Sequence, residues 1–256
     1  MAYQCALVMG VFIAAGSADC GAEIVSGQYG GIVPEKYLTG RFDPEKEEGF
    51  VDLSTLGIPV KHDRQFLRRE AAEALAAMFR DFRKAHPYLE FRIRSSTRNW
   101  GRQKTIWESK WCGTTPVGGV RLNEVIKDPE ARALKILEFS SMPGTSRHHW
   151  GTDFDFQELD NRYYESGPGK ALYRWLVSNA QSYGFCQPYT SARTGGYLEE
   201  KWHWSYMPLA GGFLAEWIRI FEKCPACIAE NDSFAGSDAA LPLASLYMEN
   251  INPACR

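Results

Sequence analysis

The stretch Ser146-Arg147-His148-His149-Trp150-Gly151-Thr152-Asp153-Phe154-Asp155 limits the folds open to this chain more than any other. From Thr152 to Gln157 apolar and polar residues alternate strictly, which predicts a strand with Phe154 and Phe156 on one face and Asp153 and Asp155 on the other. Two carboxylates on one strand face repel unless a cation or hydrogen-bond donors stand between them. His148 precedes Asp155 by seven residues, so a loop imidazole and a strand carboxylate can converge. Downstream, Glu200-Lys201-Trp202-His203 brings a carboxylate three residues before another imidazole. Two His and one Asp commonly hold zinc with one position open to water. A Glu outside the ligand set can take a proton from that water. The same residues also have ordinary readings: His148 as a satisfied polar group beside a helix end, and Asp155 as the partner of an Arg.

The pattern around this stretch predicts an α+β fold, an antiparallel sheet flanked by helices. Phe66, Leu67, Ala71, Ala74, Leu75, Met78, Phe79 and Phe82 make one apolar stripe, read as a helix from Asp63 that Pro87 stops. Residues 89–97 alternate as a strand. Further helices are expected over 100–111, 128–139, 168–182, 209–221 and 239–251, and further strands over 185–190 and 202–207. Helices and strands mix without regular βαβ alternation, which favours α+β over a parallel sheet. Residues 63–256 read as a single domain with a C-terminal helical extension, and 21–62 as an arm wrapped over it.

The formal net charge of −2 gives no general attraction to nucleic acid. No apolar run is long enough to span a bilayer, so no transmembrane helix is expected in the mature chain. Residues 1–20 read as a signal peptide, because Ala6 to Gly16 is apolar and uncharged and small residues follow. Export to the periplasm or cell envelope is the expectation. Cys20 stands where a lipid anchor could attach, but Asp19 in front of it does not suit such a site. Export would permit disulfides among Cys112, Cys186, Cys224, Cys227 and Cys255. One of the Cys224/Cys227 pair is expected to bridge to Cys255, tying down the C-terminus.

The two motifs resemble the signatures of the VanY-type zinc D-alanyl-D-alanine carboxypeptidases. The first signature, S-x-H-x-x-G-x-A-x-D, is met by Ser146, His148, Gly151 and Asp155, with Asp153 in place of Ala. The second, E-x-W-H, is met by Glu200, Trp202 and His203. An upstream Arg followed five residues later by Gln is met by Arg98 and Gln103. The resemblance runs over residues 64–207. It implies a Hedgehog/DD-peptidase-like fold, one catalytic Zn2+, and peptidoglycan stem peptides as substrate. It makes His148, Asp155 and His203 the metal ligands and Glu200 the general base, and it has Arg98 stabilise the substrate carbonyl. Ser146, Gln103 and Trp202 would contact substrate; Ser146 is equally a loop cap, and Trp202 walls the site or is simply core. Asp153 departs from the pattern. It could support a zinc-bound His, contact a substrate amine or pair with an Arg. His149 is expected to be a non-ligand, and the protein a monomer. A related cut (L,D-carboxypeptidase, D,D-dipeptidase or endopeptidase) is the alternative within enzymes. A non-catalytic peptidoglycan-binding domain is the alternative outside them.

Overall fold

The structure, a computed structural model, describes residues 27–62, 64–229 and 233–256. The expected leader over 1–20, with Cys5 and Cys20, lies outside the described residues, as does Asp63.

The architecture is α+β. A four-stranded antiparallel sheet runs in the order β3-β4-β6-β5, with β3 Ile93–Ser95, β4 Asp153–Phe156, β5 Phe185–Cys186 and β6 His203–Tyr206. Phe154 and Phe156 alternate out of β4 onto the apolar face, where both are fully buried with Phe91, Ile93, Leu172 and Leu176. Burying a Phe side chain stabilises by roughly 1.5–3 kcal/mol, so this alternation sets the strand's register against the core. It also forces Asp153 and Asp155 onto the opposite face. There β6 aligns with β4 so that Asp155 sits opposite His203, and Asp153 opposite Ser205.

The helix expected from Asp63 begins at Arg69 instead and runs to Ala85. Phe66 and Leu67 belong to a strand, β2 Phe66–Arg68, paired antiparallel with β1 Phe50–Asp52. His86 is its C-cap, the His86 amide donating to the Phe82 carbonyl at 2.8 Å. The helix Trp100–Trp111 has the bounds the sequence suggests, and Asn99 caps it by accepting from the Arg102 amide. The strand expected over 185–190 is only two residues long. The last expected helix is three short pieces, Ser237–Ala240, Leu241–Leu243 and Ala244–Glu249, with Pro242 inside the break.

Residues 27–62 lie against the rest of the chain. Tyr29, Tyr37 and Leu38 are buried in a second apolar cluster with Trp107, Trp150, Phe213 and Trp217. The Tyr37 hydroxyl donates to the Trp150 carbonyl at 2.8 Å, and Trp150 Nε1 donates to the Leu38 carbonyl at 3.1 Å. The disulfide expectation is corrected. Cys255 pairs with Cys186 on β5, while Cys224 and Cys227 pair with each other. Folding brings the C-terminus back across β5, where the Asn252 amide donates to the Pro188 carbonyl, and that puts Cys255 beside Cys186.

Candidate active site

His148 sits on a short 3-10 turn, Arg147–Trp150, that Gly151 ends with φ 73°. A Cβ at Gly151 would lie 2.4 Å from Phe50, so both the backbone angle and the close approach call for glycine. The turn directs His148 at the polar face of β4. Its Nδ1–H donates to the Ser96 carbonyl at 2.8 Å, which leaves Nε2 with its lone pair facing Asp155 Oδ2 at 3.3 Å. His203 Nδ1 lies 3.0 Å from Asp155 Oδ1. One donor atom from each of His148, Asp155 and His203 falls within 4.8 Å of the others, and all three residues are buried.

Asp155 Oδ1 is buried and faces His203 Nδ1 across that 3.0 Å. Burial alone would raise the Asp155 carboxyl pKa, but His148 and His203 outweigh it and hold the group well below the ordinary range. For His203, burial opposes the charged form, yet hydrogen bonds to Asp153 and Asp155 prevail and push it up to about 9. A proton on Nδ1 thus stands where a cation would sit. Two imidazole nitrogens and a buried carboxylate converging on one point beside a cavity are a donor set that fits zinc.

Asp153 is fully buried behind His203. Its Oδ2 accepts from His203 Nε2 and from Arg147 Nε, each at 2.9 Å. Its Oδ1 accepts from Ser205 Oγ at 2.8 Å and Thr152 Oγ1 at 2.6 Å. The carboxylate pair on β4 is therefore separated by donors, and Asp153 fixes His203 with Nδ1 directed at the site. His149 turns the other way. Its Nδ1–H donates to the Arg98 carbonyl at 2.6 Å and its Nε2 accepts from the Gly144 amide at 3.1 Å. Burial pushes it down to about 3, so it is neutral and structural.

A cavity of about 360 Å³ opens onto this set, lined in part by Arg98, Gln103, Lys110, Tyr189, Glu200 and Trp202. Glu200 is buried, and desolvation pushes it up to about 8 despite the neighbouring His203 and Arg98. Arg98 places Nη1 3.8 Å from Asp155 Oδ2 and 3.2 Å from Ser95 Oγ.

The VanY profile, described as D-alanyl-D-alanine carboxypeptidase, matches residues 64–209. The chain belongs to the VanY family. A putative carboxypeptidase, YodJ of Bacillus subtilis, is 30% identical over 181 residues, covering 69% of this chain and 59% of that protein. The chain thus spans 59% of the length of this curated relative. A solved structure of VanYB in complex with D-alanine-D-alanine is 20% identical and covers 62% of this chain and 79% of that one, with a TM-score of 0.46. The LdcB LD-carboxypeptidase is 23% identical over 74% of this chain and 87% of that one, with a TM-score of 0.48.

The other residues that the VanY signatures single out are distributed around the cavity. Gln103 lines it, its Nε2 donating to the Ser141 carbonyl at 2.7 Å while Oε1 is left without a partner among the described residues. Trp202 lines it and stacks obliquely on Phe139 at 6.0 Å. Ser146 is buried and does not line the cavity, and its Oγ lacks a partner among the described residues. Sequence reasoning missed Arg147, Tyr189 and Lys110. Arg147 was legible as a basic neighbour of His148 that could pair with Asp153. Tyr189, whose ring lies 4.8 Å from that of His203, carries no local signal.

Proposed function

We propose that this protein is an exported zinc carboxypeptidase that removes the terminal D-alanine from peptidoglycan stem peptides. The observation that carries this reading is one cavity shared by a His148–Asp155–His203 donor set, a carboxyl group at Glu200 and a guanidinium at Arg98. The donor set, two imidazoles and a carboxylate, supports the choice of zinc.

His148 Nε2, one Asp155 oxygen and His203 Nδ1 would hold the ion. Zinc supplies Lewis acidity there and lowers the pKa of the attacking water toward neutrality. Glu200 takes the water's proton and passes it to the leaving amine. Its burial keeps it a strong enough base for the first transfer and a strong enough acid for the second. Arg98 faces the scissile carbonyl and stabilises the negative charge that grows on its oxygen. The Arg98 carbonyl is fixed by His149, and its amide donates to the His148 carbonyl at 3.1 Å, so the cation's backbone is tied to the ligand turn.

Zinc analysis, with mass detection of products from D-alanine-terminated tri-, tetra- and pentapeptides, tests the reading. Stoichiometric zinc and release of one D-alanine from the peptides that end in D-Ala-D-Ala are expected. Release of a dipeptide, or cleavage after an L-residue, would favour a related cut. A zinc-loaded protein that binds these peptides without cleaving them would be a binding domain, for which a buried Glu200 has no use.

A further inference from the structure

Resting on the carboxypeptidase reading, we infer that Lys110 anchors the substrate's terminal carboxylate and so makes the site select free chain ends. On the Trp100–Trp111 helix, Gln103, Ile106 and Lys110 follow one another at three- and four-residue spacing, and all three line the cavity that holds Glu200 and His148. The terminal carboxylate lies one residue past the scissile bond, roughly 3.3–3.6 Å along an extended chain. Its anchor must therefore share the cavity with the metal ligands.

Three cations line this cavity: Arg98, Lys110 and Arg147. The Arg147 side chain is fully buried and engaged by Asp153 and Ser205. Arg98 stands beside Asp155, where the scissile carbonyl is handled. Lys110 differs from both. Its Nζ donates to Ser140 Oγ and forms no ion pair among the described residues. An ammonium has three donors, so two are left for an incoming group. Burial, then the neighbouring Arg98, holds Lys110 below its ordinary pKa, with Glu200 opposing. A carboxylate docked there would relieve that cost. Ser146, which the family resemblance places against substrate, does not line the cavity.

The test uses the zinc-loaded full chain carrying E200A, so that ligands persist, with N-acetyl-L-Lys-D-Ala-D-Ala and its C-terminal amide as probes in calorimetry. The acid should bind more tightly than the amide. Adding K110M should weaken the acid about 30-fold, the scale of charge-assisted hydrogen bonds, and bring acid and amide together. K110R should restore most of the preference. In the Glu200-containing enzyme the K110M loss should appear in KM more than in kcat. Survival of the acid preference in K110M, or equal weakening of both probes, overturns the assignment of Lys110. Failure of the zinc-loaded parent to bind either probe overturns the carboxypeptidase reading and this inference with it. Equal binding of acid and amide by the parent overturns this inference alone.

Discussion

Asp153 Oδ2 receives the Nε2–H of His203 at 2.9 Å, and it is this contact that turns Nδ1 of His203 toward Asp155. The same oxygen receives Arg147 Nε at 2.9 Å, so one fully buried carboxylate both orients an imidazole of the proposed metal site and neutralises a buried guanidinium. Removing only one member of such a set leaves a buried charge unpaired, which typically costs about 3–5 kcal/mol. D153A should therefore lower stability by that order and weaken zinc affinity by about 10–100-fold, the usual effect of losing a ligand's supporting carboxylate. R147M/D153A removes both charges and should be more stable than D153A alone. Urea unfolding and zinc competition with a chelating dye check the pair. A double variant no more stable than D153A would refute the coupling.

Four buried groups of the candidate site contribute to the pH dependence of the metal-free protein. His149, at about 3 when folded, binds its proton more tightly in the unfolded chain, so its stabilisation is present above pH 6.5 and lost as pH falls below that. His148 is also lowered and adds to the same acid-side loss. Glu200, raised to about 8, works the other way. Its folded form keeps a proton that the unfolded form releases near pH 4.5, so stability falls from there up to about pH 8. His203, raised to about 9, is stabilising below pH 6.5 and loses that between 6.5 and 9. Above pH 6.5 the two imidazole contributions of the first kind are complete, while the losses from Glu200 and His203 continue. Metal-free protein should lose stability between pH 6.5 and 8. Each fully engaged group contributes a slope of at most about 1.4 kcal/mol per pH unit. E200Q should flatten the slope. Thermal melts across pH in chelator decide this.

Zinc should reverse that alkaline loss. Ligands must shed their protons to bind metal, so affinity climbs as His203 Nδ1 deprotonates. The melting-temperature gain on adding zinc should therefore be larger at pH 8 than at pH 6. A gain independent of pH would argue against His203 as a ligand.

The parts of the molecule that were legible in the sequence are those where one local pattern met no competing one. The alternation of β4 survived because Phe154 and Phe156 have a single apolar face to enter. The Trp100–Trp111 helix carries its own cap at Asn99. By contrast, Phe66 and Leu67 continue the apolar stripe of the following helix, so periodicity alone joined a strand to it. What breaks the run is long-range pairing of β2 with β1, which no local window contains. That His148, Asp155, His203 and Glu200 come together was legible because the two motifs supply them in order. Lys110 was not. The sequence shows the helix stripe of Ile106, Trp107 and Trp111, and only the packed structure shows which flank of that stripe opens on a cavity. The partner of Cys255 was equally hidden, since it depends on the C-terminus crossing β5.

That crossing makes the two disulfides unequal. Cys186 and Cys255 are 69 residues apart, while Cys224 and Cys227 are 3 apart. By loop-closure entropy the first should contribute about 4 kcal/mol and the second about 1.5 kcal/mol. C255S should therefore lower the melting temperature clearly more than C227S. Comparing each single variant with the parent under non-reducing conditions measures the difference, and equal losses would mean that the C-terminal segment holds its place without the bond.

The arm over residues 27–62 meets the turn that carries His148 and His149 at Gly40. Gly40 has φ 76°, and a Cβ there would lie 2.3 Å from His149 Nδ1, the atom that holds the Arg98 carbonyl. The Gly40 carbonyl also accepts from the Trp100 amide at 2.7 Å, at the start of the helix that carries Gln103 and Lys110. G40A must therefore strain the backbone, which costs of order 1–3 kcal/mol, and push His149 off its carbonyl. Because Arg98 is held through that carbonyl, the variant should lose activity by more than its stability loss explains. At a temperature where both proteins are fully folded, kcat of G40A should fall while stoichiometric zinc binding persists, since His148, Asp155 and His203 do not touch Gly40. If kcat were unchanged in folded G40A, the His149–Arg98 contact would be structural only. Activity should then track the folded fraction alone.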